Sequence, residues 1–270
     1  MTTSKEGEPS FENVGNQELE WPNFASMGDS ALMVNMGEGI SSDTNDQVRI
    51  LSDDLMKSDW PGVREIVPTY SSIVVHFDPF ILPEESLEQS IRNLIRYSTS
   101  ESDEGGRTVV LPTLYGGEFG PDLDSVCTIM GLSLEDAIRI HSGSDYRVYA
   151  LGFSPGFPYL GGLSEELHCP RLDSPRTEVP MGSVAIANTQ TGVYPVSSPG
   201  GWRLIGRTPV ALFDPYRTDP AIFRPGDHLR FVPIKSEKEF NEIDITDLKK
   251  IIITENNIKI VEFVKVKVNE

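Results

Sequence analysis

The chain has 270 residues, a formal net charge of −18 and a pI near 4.6, with 38% hydrophobic content. That length can bury two cores, while the acidity argues against nucleic acid or anionic membrane as a partner, whose phosphates need clustered cations. No apolar run approaches the roughly 20 residues of a membrane span.

Met1 to about Pro22 is polar and acidic, so it is not a secretory signal and reads as a mobile tail. A compact unit follows. Ala31–Met36 alternates weakly, as a strand would. Ser41 or Ser42 is placed to cap a helix carrying Val48, Leu51 and Leu55 on one face, ended by Trp60-Pro61-Gly62. Glu65–Pro68 and Ser72–Phe77 read as strands joined tightly through Thr69-Tyr70. Leu87, Ile91, Leu94 and Ile95 mark a second amphipathic helix. The order β-α-β-β-α suggests a small α+β domain of ferredoxin-like type. An acidic, glycine-ended stretch at 101–106 reads as a linker. Arg107–Leu111 then opens a second domain. Its Gly116–Pro121 loop leads into a short helix stopped by Gly131. Ser133 with Asp136 resembles a capping box for the next helix, which runs to about Ile140 and delivers His141 into a turn.

Tyr146–Pro215 holds nine of the 23 glycines and nine of the 20 prolines, with five arginines, five acids and no lysine. Gly and Pro at that density set many sharp turns. Between them, Val148–Leu151, Ser183–Ala187, Val193–Val196 and Pro209–Phe213 read as short strands of a closed or sandwiched β structure, continued by Asp227–Pro233. Beyond Ile234 lie seven of the nine lysines, in a strand-turn-strand appendix. The expected boundaries are a tail over 1–23, an α+β domain over 24–104, a mainly-β domain over 105–234 and an appendix over 235–270.

Several chemistries are weakened by the residues themselves. Cys127 and Cys169 stand far apart with no metal-ligand spacing, as two buried thiols in a reducing cytosol would, and no metal is expected. No GxxxxGK[ST] occurs, and no lysine lies between Lys57 and Lys235, so an anion held by the central body is held by Arg, backbone N–H groups or a partner. Gly152-Phe153-Ser154-Pro155-Gly156 has the letters of a nucleophile elbow. Pro155, however, lacks the N–H the oxyanion hole would use and disfavours the following helix. His141 is either a general base near its useful range or a helix-terminal histidine facing carbonyls; His76, His168 and His228 carry little weight. Arg171, Arg176 and Arg207 sit in proline-stiffened turns, which suits carboxylate or phosphate recognition. The alternative is that they pin loops through Asp173, Glu178 or Asp214. Gln190 and Tyr194 offer amide and phenol contacts, and Trp202 follows two glycines where backbone can approach a ligand or a barrel can close.

YGGEFGPDLDSV, YRVYALGFSPGFPYLGGL and PRLDSPRTEVPMGSVAIANTQTGVYPVSSPGGWRLIGRTPVALFDP together resemble the KipI family over about Phe24 to Asp244. The family is also known as PxpB, the B component of 5-oxoprolinase, or as allophanate hydrolase subunit 1, and the same module forms half of the carboxyltransferase domain of urea carboxylase. The resemblance implies a cyclophilin-like β-barrel over about Arg107–Ile234 behind the small α+β domain. It implies a partner of KipA or PxpC type, with a PxpA-type subunit completing the complex, and ATP-dependent opening of 5-oxo-L-proline to L-glutamate in the cytoplasm. ATP would be bound here or by a partner subunit. By motif position His141, Arg176 and Arg207 would be catalytic, with His141 near the pocket mouth for proton transfer. Arg171, Gln190, Tyr194 and Trp202 would bind substrate, with Gln190 on the lactam. Two other activities attach to the same barrel: inhibition of a histidine kinase, and carboxyltransferase or allophanate hydrolase work in urea metabolism. No Ala-Met-Lys-Met biotinyl motif is present; Leu55-Met56-Lys57-Ser58 is a poor imitation.

Overall fold

The computed structural model describes residues 21–97, 107–243 and 252–253. The expected acidic tail before Trp21, the linker at 101–106 and nearly all of the appendix beyond Ile243 lie outside the described residues.

The first unit is a four-stranded antiparallel sheet with two helices on one face. Its strands are β1 (Asn23–Ser26), β2 (Ala31–Asn35), β3 (Val63–Pro68) and β4 (Ser72–Phe77), in the order β1-β2-β4-β3. Helix α1 (Ser42–Ser58) starts where Ser41, in extended conformation, accepts the Thr44 N–H, satisfying one of the orphan donors of the first turn. It ends just short of Trp60, because Asp59 takes the left-handed conformation. Helix α2 spans Glu84–Tyr97. Val48, Leu51 and Leu55 of α1 and Leu87 and Ile91 of α2 pack on Leu32, Val34, Ile73, Val75 and Phe77. Strand β4 alternates buried and half-buried residues, the period-2 signature of a sheet covered on one face. Strands β2, β4 and β3 with α1 form a split β-α-β arrangement. In a ferredoxin-like β-α-β-β-α-β the remaining edge takes a strand that follows α2; here β1, from before α1, fills it.

The second unit is a closed seven-stranded barrel. Its strands are β5 (Thr108–Tyr115), β6 (Asp145–Leu151), β7 (Pro158–Gly161), β9 (Ser183–Ala187), β10 (Gln190–Val193), β12 (Arg203–Arg207) and β13 (His228–Ile234). They run in the order β12-β9-β10-β7-β6-β13-β5, and β12 meets β5 through Gly206–Tyr115 and Arg207–Leu114 to close the ring. Seven is odd, so strict alternation cannot close, and the one parallel pair is β13 with β5. Closure leaves no free sheet edge within the ring. A separate ribbon of β8 (Arg176–Val179) and β11 (Ser198–Gly200) pairs antiparallel, and β14 (Ile252–Ile253) pairs with the start of β5.

Alternate residues of each barrel strand face the interior. Val109, Leu111, Tyr146, Val148, Leu160, Val184, Ile186, Val193, Ile205, Leu229 and Phe231 fill it. Helices α3 (Leu123–Met130) and α4 (Leu134–Ser142) add Leu123, Val126, Cys127 and Ala137. Each fully buried aliphatic or aromatic side chain contributes about 1.5–3 kcal/mol. Helix α3 stops at Gly131 in left-handed conformation, and Ser133 accepts the Asp136 N–H to start α4. Pro209–Phe213 is not a strand. It is a loop whose Val210 and Leu212 plug the interior, with one isolated bridge from Phe213 to Ala221.

The two units meet along a polar seam. Buried Asn45 of α1 donates to the carbonyls of Thr69, Tyr70 and Tyr149, each at 3.2 Å. Arg147 of β6 reaches Asp46 of α1 with Nη2···Oδ1 at 2.5 Å, and Arg49 lies against Gly226. This seam carries Tyr70, at the tip of the β3–β4 turn, onto the barrel surface.

Candidate functional site

The barrel's outer face across β10, β9 and β12 is built unlike its inner face. Gln190 pairs with Ala187 and Gly192 with Ala185; Arg203 pairs with Ile186, and continuing that register by one residue sets Trp202 opposite Ala187. The small residues Ala185, Ala187 and Gly192 therefore occupy outward positions of β9 and β10, with Gln190 on the same side. A Cβ at Gly192 would stand 2.9 Å from Phe157 and 3.0 Å from Trp202. These small residues form a floor on which large rings lie.

The rings form one connected wall. Phe157 meets Phe153, Tyr159, Tyr194 and Trp202 with centroids 5.4, 5.4, 5.6 and 5.8 Å away. Tyr159 continues the wall to Tyr70 at 5.7 Å, and Tyr70 to Tyr149 at 5.5 Å. Nearly all meet edge to face, the arrangement the ring quadrupoles favour. Phe157, Tyr194 and Trp202 are buried, while Tyr159, Tyr70 and Tyr149 are half-buried. Phe153 holds a left-handed backbone, φ 61, and stands 65% exposed beside this wall. A non-glycine residue in that region carries strain.

Polar groups stand at the two ends. At one, the Gln190 side-chain amide donates to the Tyr70 hydroxyl oxygen. Burial pushes the Tyr70 hydroxyl up to about 12, against the pull of the Gln190 hydrogen bond, so it stays protonated. At the other, the Arg171 guanidinium lies 6.0 Å from the Trp202 ring centroid. Arg176 Nη2 pairs with Asp122 Oδ1 at 2.7 Å, while Asp122 Oδ2 accepts the Leu204 N–H at 2.7 Å. Arg176 Nη1 is buried and has no hydrogen-bond partner among the described residues. The Tyr194 hydroxyl lies between these groups. Burial raises it, a hydrogen bond from the Trp202 backbone lowers it, and the charges of Arg171 and Arg176 pull it down further. It sits so close to the ribbon that a Cβ at Gly200 would fall 2.3 Å from it.

Of the residues singled out in the sequence, the structure brings Arg171, Arg176, Tyr194 and Trp202 together, with Gln190 on the same face. Arg176 takes Asp122 as its partner rather than Asp173, Glu178 or Asp214. Arg207 is separate: it lies at the far end of β12 and donates to the Met181 carbonyl at 2.8 Å, bracing the β8–β9 turn. Five residues of extended chain, about 16 Å, separate it from Trp202.

His141 is not at a mouth and does not enter a turn. It is the penultimate residue of α4, fully buried in the barrel interior between Tyr146 and Phe231. Thr191 gives its hydroxyl proton to the Ala185 carbonyl at 3.0 Å, so toward His141 it accepts. His141 Nε2 therefore carries the proton, at 2.9 Å, and Nδ1 accepts the Tyr115 hydroxyl at 2.8 Å. Desolvation lowers the imidazole pKa to about 3. A neutral, doubly satisfied ring inside the core is a structural group, and the general-base reading is corrected on that ground.

Ser154 lies in the turn between β6 and β7; a strand follows Pro155-Gly156-Phe157, not a helix, so no nucleophile elbow forms. Cys127 and Cys169 are free and buried, with both thiol pKa values raised by burial. Among the described residues no group of His, Cys, Asp or Glu is placed to hold a metal ion, and no helix is long and apolar enough to cross a membrane. A cleft of about 300 Å³ lies away from the shelf, bordered by Trp21, Met36, Gln47, Ile50 and Ile95; its lining is mostly apolar and carries no ionisable group.

Sequence reasoning missed Tyr70, Asp122, Phe157 and Tyr159. Phe157 and Tyr159 carried a signal, two aromatics spaced by two in a strand-length run. Tyr70 and Asp122 carried none, because their partners lie far along the chain.

Residues 22–223 match the family described as carboxyltransferase domain, subdomain C and D. The chain is 42% identical over 225 residues to the B subunit of 5-oxoprolinase from Bacillus subtilis (strain 168), covering 80% of this chain and 93% of that protein. It is 42% identical over 211 residues to the B subunit of 5-oxoprolinase from Escherichia coli O157:H7, covering 77% and 94%. The solved structure of TTHA0988 superposes with a TM-score of 0.69 at 37% identity over 76% of this chain, which spans 40% of that one.

Proposed function

This chain belongs to the carboxyltransferase subdomain C and D family, and we propose on that footing that it is the B-type subunit of a 5-oxoprolinase. The observation that carries the reading is 42% identity with the B subunit of a 5-oxoprolinase across 93% of that protein's length. The outer-face shelf supports it: an aromatic wall over a floor of small residues, with an amide–phenol pair at one end and guanidinium groups at the other, suits a small planar ring bearing a carboxylate. In this reading the barrel is cyclophilin-like, the units over 24–104 and 105–234 are separate domains, and the reaction opens 5-oxo-L-proline to L-glutamate at the expense of ATP.

The chain's part is to hold and orient the substrate. Arg171, lying over Trp202, takes the carboxylate as a flexible cation, and Arg176 stiffens the ribbon beside it and offers its unpartnered Nη1. Tyr194 supplies the phenol between them. ATP, when bound, supplies the activation that an unstrained amide needs before water can attack. The shelf has two arginines and no lysine, which suits one carboxylate or one phosphoryl group rather than a triphosphate. We therefore place the triphosphate on a partner subunit, a second barrel of KipA or PxpC type, with a PxpA-type subunit supplying the remaining machinery. Two free, buried thiols support a cytoplasmic setting. The carboxyltransferase reading rests on the family description alone, and neither curated relative named above carries the kinase-inhibitor name.

The test compares 5-oxoproline-dependent ADP release by tagged chain drawn from its own host with release by the recombinant chain alone. Release only in the drawn-out complex, with the partners identified by mass, is the expected result. A complex that retains a barrel partner and shows no such release overturns the reading.

A further inference from the structure

We infer that Tyr70 and Gln190 form a paired donor and acceptor that reads the amide edge of a cyclic substrate: the Tyr70 O–H donates to the ring carbonyl and Gln190 Oε1 accepts the ring N–H. The inference rests on the 5-oxoprolinase reading above. The Gln190 side-chain amide donates to the Tyr70 oxygen. That one bond fixes the remaining chemistry of both groups. Gln190, having used an N–H, keeps its carbonyl oxygen for an incoming donor; Tyr70, having accepted, keeps its proton for an incoming acceptor. Both residues are half-buried, and so lie within reach of a ligand.

A five-membered ring forces its amide to be cis, which places N–H and C=O side by side on one edge. An open-chain amide is trans and presents them on opposite sides. Two adjacent groups, one donor and one acceptor, therefore match a lactam and mismatch a linear amide or the opened product. The pair is also held in place. Tyr149 and Tyr159 flank the Tyr70 ring, and buried Asn45 grips the Tyr70 carbonyl at 3.2 Å. Gln190, Ala187 and Trp202 stand in a row across three neighbouring strands. That row spans about 10 Å from the amide end to the ring beneath Arg171, and Ala187 between them is itself buried, so a ring held by the pair lies over this face with its carboxylate toward Arg171. Because Tyr70 comes from the first sheet and Gln190 from the barrel, the pair exists only while the seam is docked. That gives the small unit a role in substrate specificity.

The experiment uses the complex purified with its own partners and two ligands: 5-oxo-L-proline, and the γ-lactone of the same skeleton, in which ring oxygen replaces N–H. Tyr70→Phe keeps every ring contact and removes only the hydroxyl. It is expected to raise KM for 5-oxoproline and the inhibition constant of the lactone alike, by about tenfold or more. Gln190→Met removes the acceptor at similar volume. It is expected to raise KM for 5-oxoproline while leaving the lactone constant near wild type, so that the lactam-over-lactone preference collapses. A role confined to packing would shift both ligands equally in Gln190→Met. Active wild-type complex with both variants at wild-type constants, or an unchanged preference in Gln190→Met, overturns the pair alone. Wild-type complex without 5-oxoproline-dependent activity overturns the reading and the pair together.

Discussion

Replacing His141 tests whether the barrel interior holds a neutral imidazole. Burial lowers its folded-state pKa to about 3, against about 6.5 in an unfolded chain. Between those values the unfolded state binds the extra proton, so stability falls as pH falls through the window from roughly 6.5 to 3 and is fully present above it. At pH 5 the unfolded state gains RT ln(1 + 10^1.5), about 2 kcal/mol relative to pH 8. His141→Gln removes this titration. At pH 8 the variant is expected to be less stable than wild type by about 1–3 kcal/mol, because a straight amide fills the site between Tyr115 and Thr191 less well. Its loss of stability between pH 8 and pH 5 is expected to be smaller than that of wild type by about 2 kcal/mol, since the carboxylates titrate alike in both proteins. Urea unfolding followed by tryptophan fluorescence at the two pH values measures both differences. Equal losses in wild type and variant would mean that His141 titrates alike in folded and unfolded chains, and the buried neutral ring would be wrong.

Three further outcomes follow from the site. Gly200→Ala places a methyl where the Tyr194 hydroxyl stands, 2.3 Å away, and is expected to cost about 1–3 kcal/mol, with a shift in Trp202 emission; unchanged melting and emission would refute the close approach. Arg171→Ala removes an exposed cation that lies against the Trp202 ring; in the complex it is expected to raise KM for 5-oxoproline about tenfold with little change in melting temperature, and an unchanged KM would remove it from carboxylate binding. Asp46→Ala leaves Arg147 without its partner across the seam and is expected to cost about 1–3 kcal/mol, with faster amide hydrogen exchange in the Thr69–Ser72 turn; unchanged exchange there would show that the seam does not depend on this pair.

Local rules carried the sequence reading where local rules decide structure. Ser41 and Ser133 do cap helices, Gly131 does stop one, and the spacing of Val48, Leu51 and Leu55 does mark a buried face, because caps and amphipathic periods depend on residues within a turn or two. Strands β7, β8, β11 and β12 were not legible. They are three to five residues long; β7, β11 and β12 are interrupted by Gly or Pro, and β8 and β12 pair with β11 and β9 about 20 residues away along the chain. His141 was ambiguous for a related reason. Its helix runs two residues further than the periodicity indicated, and those residues decide whether the ring meets solvent or Phe231. The arginine and aromatic members of the shelf were legible as types. Their grouping was not, since it depends on Trp202 standing opposite Ala187 and on Tyr70 arriving from another sheet.

The placement of the candidate site on the outside of the barrel follows from the side chains that line each face. Interior positions carry Val, Ile, Leu, Tyr and Phe, closed by Val210 and Leu212 of a loop and by His141 of α4, so the lumen is a packed core. Outward positions of β9 and β10 carry the small Ala185, Ala187 and Gly192, with Gln190 beside them, and the aromatic rings lie over the small ones. Such a shelf is open along its polar ends: Arg171 is exposed, and Tyr70 and Gln190 are half-buried. Water competes for every hydrogen bond made there, and attack on an activated amide gains from excluding it. A shelf with this architecture does not enclose a ligand, which is the physical ground for proposing that a partner subunit covers it, and that catalysis appears only when it does.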